Sequence, residues 1–326
     1  MRNSRRVVKG IINHKYVRFN GITMLFLLMF IMLSCRNSQN DNPLDTPTTG
    51  KISMAVDETF MPIVQAQLDV FHSVYRYAHI EPIALPESEA FKLLYDDSVK
   101  LILASRKLSD KEVEYFNQKK IFPKQVKIAI DAIAMIVNRQ NPDSVYTVDE
   151  LAAILKGEIT NWSQLNNNNH SGNIELMFDN PKSGLVRYMI DSVAHTNALS
   201  KSLISGSVNT DVINYVSKHI NAAGFIGVSW ISDKDDSTHL SFQNNIRVAR
   251  LGKVQKTDAY KPYQAYIATE QYPLTRDIYL ISTDPHLGLA EGFISFAASD
   301  KGQRIILKAG ILPATATIRL VQVHDE

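Results

Sequence analysis

Two short segments combine hydroxyls, backbone N–H groups and, in the second, a glycine in a way that suits holding an anion. Asp57-Glu58-Thr59-Phe60 leads into a stretch with Phe60, Ile63, Val64, Leu68 and Phe71 on one face, and Lys182-Ser183-Gly184 leads into a second such stretch. The start of a helix leaves N–H groups unpaired and carries a partial positive charge, so either junction can hold an anion. Ser88, set between Glu87 and Glu89, adds a hydroxyl, and Arg106, after Ala104-Ser105, adds a cation. Asp57, Glu58, Asp179, Asn180 and Lys182 stand close to the same junctions in the chain. The competing reading is two ordinary helix N-caps, which most α/β proteins have in several copies. Other chemistries lack their residues. The nine histidines show no H-E-x-x-H spacing, Ser205-Gly206-Ser207 is not a G-x-S-x-G elbow, and neither a P-loop nor G-x-G-x-x-G occurs. With no nucleophile–base set, the expectation is a protein that is not an enzyme and uses no cofactor or metal.

The elements that must position these residues alternate. Strands are expected over 51–56, 79–84, 101–105, 174–178, 224–230, 246–251 and 277–282, with helices between them. That alternation predicts an α/β protein with mainly parallel sheets flanked by helices. Lys127–Asn138 is long for one strand and could run from one lobe into another. Thr147-Val-Asp-Glu150 is a capping box opening a helix to Lys156. Trp162 and Trp230 are expected in core or interlobe packing. Tyr260, Tyr263, Tyr266 and Tyr272 are open to two readings, the rim of a cleft or an amphipathic surface segment.

The N-terminal region has its own logic. Residues 1–20 carry six basic side chains and no acid, residues 22–33 are almost wholly apolar, and Ser34-Cys35 precedes a polar stretch to Gly50. This is the order of a secretory signal, and the 12-residue apolar run is short for a membrane span. Cys35, the only cysteine, resembles the lipidated residue of bacterial lipoproteins, with Met32 and Leu33 departing from the usual pattern before it. The reading is a signal peptide over 1–34 and a lipidated polar tether over 35–50. Without 1–34 the chain holds 29 basic and 33 acidic side chains, a net of −4. That leaves no basic footprint for nucleic acid, and no thiol for a disulfide or zinc site once Cys35 is modified.

Several segments, in order, resemble the phosphate-binding proteins of bacterial ABC importers, members of the type II periplasmic binding-protein superfamily. They are Asp57–Pro62, Leu103–Leu108, Ile128–Asn138, Thr147–Leu155, Gly157–Trp162, Lys182–Gly184, Gly224–Gly227, Tyr272–Tyr279 and Gly302–Pro313. The resemblance implies two α/β lobes joined by two crossing strands as a hinge, with lobe one over 50–133 and 276–326 and lobe two over 134–275. It also implies a ligand in the interlobe cleft, with Thr59, Phe60, Ser88, Arg106, Ser183 and Gly184 as contacts, Arg106 as the cation, and phosphate as the default anion. This sequence departs from the family pattern at five residues. Asp57 and Glu58 replace small residues, Asp179 stands where an Arg is usual, Lys182 replaces a Gly, and Leu185 replaces a Thr. Carboxylates beside a dianion repel it unless protonated or turned away. The alternatives are a zwitterionic or cationic ligand, a protein segment, or acids paired internally with Arg106, Lys182 and Arg187. The expectation is therefore an exported, lipid-anchored, monomeric solute-binding protein of the cell envelope, serving an ABC permease. The alternative is a non-transport envelope lipoprotein that reuses the fold for sensing or for binding a protein partner.

Overall fold

The structure, a computed structural model, describes residues 45–165, 171–200, 204–231 and 245–315. The expected signal segment over 1–34, Cys35, the expected tether up to residue 44 and the Asn166–Asn169 loop lie outside the described residues. Among the described residues no helix is long and apolar enough to cross a membrane.

Strand β1 (Thr49–Asp57) ends at the first junction and is followed by a 3-10 turn, Glu58–Phe60, and helix α1 (Met61–Val74). Pro62 sits in the first turn of α1, where its missing N–H breaks no helical bond. The chain continues through β2 (Tyr77–Leu85), α2 (Glu87–Tyr95), β3 (Leu101–Ala104) and α3 (Asp110–Gln118). Leu101–Ala104 is buried at all four positions, the mark of a strand covered on both faces. Strands β1, β2 and β3 pair in parallel, as β-α-β connections require.

Strand β4 (Lys124–Asn138) is the 15-residue strand, and it changes partners partway. Its first part pairs antiparallel with β12 (Thr275–Ser282) through Ala132↔Thr275. From Ile133 onward it pairs antiparallel with β8 (Ala222–Gly227). The first set of strands runs β2-β1-β3-β12-β4, and the second runs β4-β8 and then β6 (Glu175–Phe178) and β7 (Ile204–Ser205). The sheets are thus mixed, since β4 and β12 return through them antiparallel while β6, β7 and β8 pair in parallel. Helices α8 (Leu289–Ala298) and α9 (Asp300–Lys308) pack beside the first set. There Phe293 and Phe296 meet the buried Phe71 ring edge-on at 5.4 and 5.2 Å. Helix α6 (Asn209–Lys218) packs on the second set, and β9 (Ile246–Val248) also pairs with β4. Helix α4 (Val148–Lys156), with the predicted Thr147/Glu150 capping box, follows β5 (Val145–Thr147), which forms a separate sheet with β10 (Arg250–Gly252) and β11 (Ala259–Tyr260). A short α7 (Gln264–Ala268) precedes β12.

Three local expectations are corrected. The strand expected over 224–230 stops at Gly227 and turns into a 3-10 segment, Val228–Trp230. The helix expected through His195 is a short α5 (Gly184–Tyr188) followed by a π-helical turn, Met189–Ala194. Tyr272 belongs to neither surface reading. It is buried, and its hydroxyl donates to the Ile133 carbonyl at 2.8 Å, where β4 changes partners.

Candidate functional site

The two junctions picked out in the sequence meet. Asp57 closes β1 of the first set of strands, and Ser183 and Gly184 open α5 beyond β6 of the second. Ser183 caps α5 by accepting the Val186 N–H at 3.2 Å, which leaves the Gly184 N–H pointing out of the helix start. That N–H donates to Asp57 Oδ2 at 3.1 Å. Asp57 Oδ1 accepts from the backbone N–H and the hydroxyl of Thr59 at 3.2 and 3.1 Å. The Thr59 hydroxyl also lies 3.3 Å from Asp179 Oδ2, and Ser183 Oγ donates to Asp179 Oδ1 at 2.7 Å. Asp57, Thr59, Phe60, Asp179 and Ser183 are all buried, so these bonds are sheltered from water.

Glu87, at the start of α2, builds a second layer. Its Oε2 accepts from the Ser105 N–H and hydroxyl at 2.7 and 2.5 Å, and its Oε1 accepts from Arg187 Nε at 2.7 Å. Arg187 Nη2 reaches Ser105 Oγ at 2.9 Å. Glu58 crosses the seam as well, accepting from the backbone N–H (3.2 Å) and the side-chain amide of Asn209 at the start of α6. Trp230 Nε1, in the 3-10 segment after β8, donates to the Thr59 carbonyl at 2.7 Å across the same seam.

Electrostatics sort the acids. Burial, then the neighbouring Glu87 charge, pushes Asp57 up to about 7. Burial also raises Asp179, Asp131 and Glu58. Burial works against the Glu87 charge too. There the Arg187 guanidinium and the Ser105 donors together outweigh it and hold the carboxyl below its ordinary value. The pair is therefore asymmetric: Glu87 stays ionised and Asp57 is the group that takes a proton first.

The sequence candidates fare unequally. Thr59, Ser183, Gly184, Asp57 and Asp179 converge, and Glu58 flanks them. Phe60 sits under the site, its ring 4.5 Å from the Arg276 guanidinium. Ser88 and Arg106 line a cavity of about 310 Å³ at the mouth of the seam, with Glu87, Phe91, Lys182 and Arg187. Arg106 lies over the Phe91 ring at 3.7 Å, and its guanidinium holds both oxygens of Glu112 at 2.7 and 3.0 Å. Lys182 is exposed and paired with Glu89 at 2.7 Å, while the Asn180 side chain accepts the Lys182 N–H to shape the turn.

Sequence reasoning missed Arg276 altogether and named Arg187 only as an internal partner for the acids. Arg276 is buried where β4 and β12 cross and donates twice to Asp131 Oδ2, at 3.0 and 2.9 Å. Its Nη1 has no hydrogen-bond partner among the described residues. Its place inside the Tyr272–Tyr279 segment was the available signal. Arg187 follows Ser183 by four residues, the helical spacing that puts both on one face. Among the described residues no cluster of three or more His, Cys, Asp and Glu could hold a metal.

The PBP superfamily domain matches residues 42–301. The chain belongs to that superfamily. It is similar to the phosphate-binding protein PstS of Pseudomonas aeruginosa, 21% identical over 285 residues that cover 83% of this chain and 85% of the relative. PstS of Borreliella burgdorferi is 21% identical over 302 residues, 89% and 97% of the two chains. An ABC-type phosphate transport receptor from Vibrio cholerae has the same fold, with a TM-score of 0.62 at 19% identity over 81% of this chain and all of the other.

Proposed function

We propose that this PBP-superfamily chain is an exported solute-binding lipoprotein that captures phosphate or a related small oxyanion between its two halves and delivers it to an ABC permease. The observation that carries this reading is the meeting of Thr59, Ser183 and Gly184 from opposite halves at one buried seam. The relatives named for phosphate binding support it. In this reading the lobes are 50–133 with 276–326, and 134–275. The partner switch of β4 near Ala132 and the adjacent start of β12 support such a division. Helix-start and hydroxyl donors bind the anion, and Arg187 and Arg106 at the mouth attract it. Cys35 carries the lipid, and the protein works as a monomer at the envelope membrane without turnover.

The test is calorimetric titration of the full chain in detergent with inorganic phosphate, after unfolding and refolding to strip carried-over anions, with sulfate as control. Micromolar binding of phosphate is expected, and no heat at millimolar phosphate removes phosphate from the reading. One observation favours a second reading, an envelope module that senses or binds a protein partner: the seam donors already serve the chain's own carboxylates. Co-purification with an envelope complex, together with silent calorimetry, selects it.

A further inference from the structure

Three carboxylates that start in one half of the molecule end on donors of the other. Asp57 Oδ2 takes the Gly184 N–H, Glu58 takes the start of α6 at Asn209, and Glu87 takes Arg187. A helix-start amide, a hydroxyl and a guanidinium are the donors an inorganic oxyanion uses. Here the oxygens they meet belong to the chain. The Thr59 hydroxyl is shared between Asp57 and Asp179, and Ser183 Oγ is committed to Asp179.

The fit at Gly184 is close. A Cβ on that residue would come within 2.5 Å of Asp57 Oδ2, 2.6 Å of Ser105 Oγ and 2.8 Å of Glu87 Oε2. Only a glycine lets the carboxylates lie against this stretch of backbone, and an oxyanion held by the same N–H would need the space they fill.

We propose that the Asp57 carboxyl is a built-in competitor for the ligand, steadied by the Glu87 layer: it ties the two halves by taking the donors of Thr59 and Gly184, and an incoming phosphate-type oxyanion must displace it. This rests on the reading of the seam as the ligand site. The displaced group is tethered, so it competes at a high effective concentration and weakens the apparent affinity by the fraction of time it holds the donors. The acids that stand in place of the family's small residues then set the threshold concentration for capture. The cavity at the mouth, with Arg106, Lys182 and Arg187, is where an anion first meets cations before that exchange.

The experiment compares the full chain in detergent with Asp57→Ala and the isosteric Asp57→Asn. Hydrogen exchange is read over residues 181–187, and inorganic phosphate binding by calorimetry. The helical segment 289–308 serves as an internal reference for global stability. Exchange over 181–187 is expected to rise at least tenfold in Asp57→Ala and severalfold in Asp57→Asn while 289–308 is unchanged. Phosphate affinity is expected to tighten at least tenfold. If the alanine variant does not fold, the asparagine variant, which keeps the shape and loses the charge, carries the comparison. Exchange within twofold of wild type in both variants overturns the proposal. So does phosphate binding that is present in wild type and weakened by Asp57→Asn, since Asp57 would then serve the ligand. Faster exchange with no phosphate bound by any form keeps the tie across the seam and removes phosphate as its competitor.

Discussion

At the scale of single residues, the burial of Asp57 beside the Glu87 charge has a consequence for pH. Asp57 ionises at about 7 in the folded chain against 3.8 for a free side chain, so the fold binds the extra proton between those values. The stability this group contributes is full below about pH 4 and is lost as pH rises through about 7. Asp131 and Asp179, also raised by burial, act in the same direction. Glu112, which burial would raise but which Arg106, Tyr95 and the Ser109 N–H hold at about 2, and the lowered Glu87 act oppositely. Their contribution is present above pH 4.5 and is lost on acidification. Thermal unfolding across pH 3–9 is therefore expected to show greatest stability in the mildly acidic range, with a shallower decline from pH 4 to 7 in Asp57→Asn. Equal slopes in the two proteins would count against the assignment. Gly184→Ala forces a methyl against three oxygens and is expected to cost about 1–3 kcal/mol, measured by urea denaturation.

At the scale of elements, the crossing of β4 and β12 is the most tightly constrained place in the molecule. Asp131 and Arg276 face each other in register, both buried, one residue from where β4 changes partners. Removing one member of such a pair leaves an uncompensated charge, so Arg276→Met is expected to destabilise by about 3–5 kcal/mol. Adding Asp131→Asn should restore part of that loss, and a double-mutant cycle by denaturant unfolding measures the coupling. A cycle showing no coupling would mean the pair is not the unit that matters. Helix α6 offers a milder test. Glu58 accepts from the backbone N–H and side-chain amide of Asn209 at the helix start from the opposite half, so Glu58→Ala is expected to lose about 0.5–1.5 kcal/mol. The same substitution should speed hydrogen exchange over residues 208–212. Unchanged exchange there would argue against a tie between Glu58 and α6.

At the scale of the whole molecule, the seam bonds join two sets of strands that also share β4, so heat or urea should unfold the chain in one cooperative transition. Breaking the tie at Asp57 should separate the two sets more readily than it melts either one. In Asp57→Ala, faster exchange confined to the seam, with the α8–α9 helices unaffected, is the expected pattern. The acidic balance left once residues 1–34 are set aside has a related effect. A net charge of −4 gives little long-range attraction for an anion, so on the proposed reading capture would depend on the local cations at the mouth. Anion on-rates should therefore fall with added salt, and should fall by a larger factor in Arg187→Gln than in a variant of a distant surface lysine such as Lys308.

The order of segments by itself determined the α/β class, most element positions and the two junctions that meet, because hydrophobic periodicity and capping chemistry are local. Asp57, Glu58 and Asp179 were legible as departures from a family pattern, and their charge was enough to put simple anion capture in question. Only the tertiary structure decided where those charges go. The direction of a carboxylate depends on the donor facing it across the seam, and Gly184 lies 127 residues from Asp57. The same holds for Arg276. Its partner Asp131 lies 145 residues away, and their pairing exists only because β4 and β12 run antiparallel through the crossing.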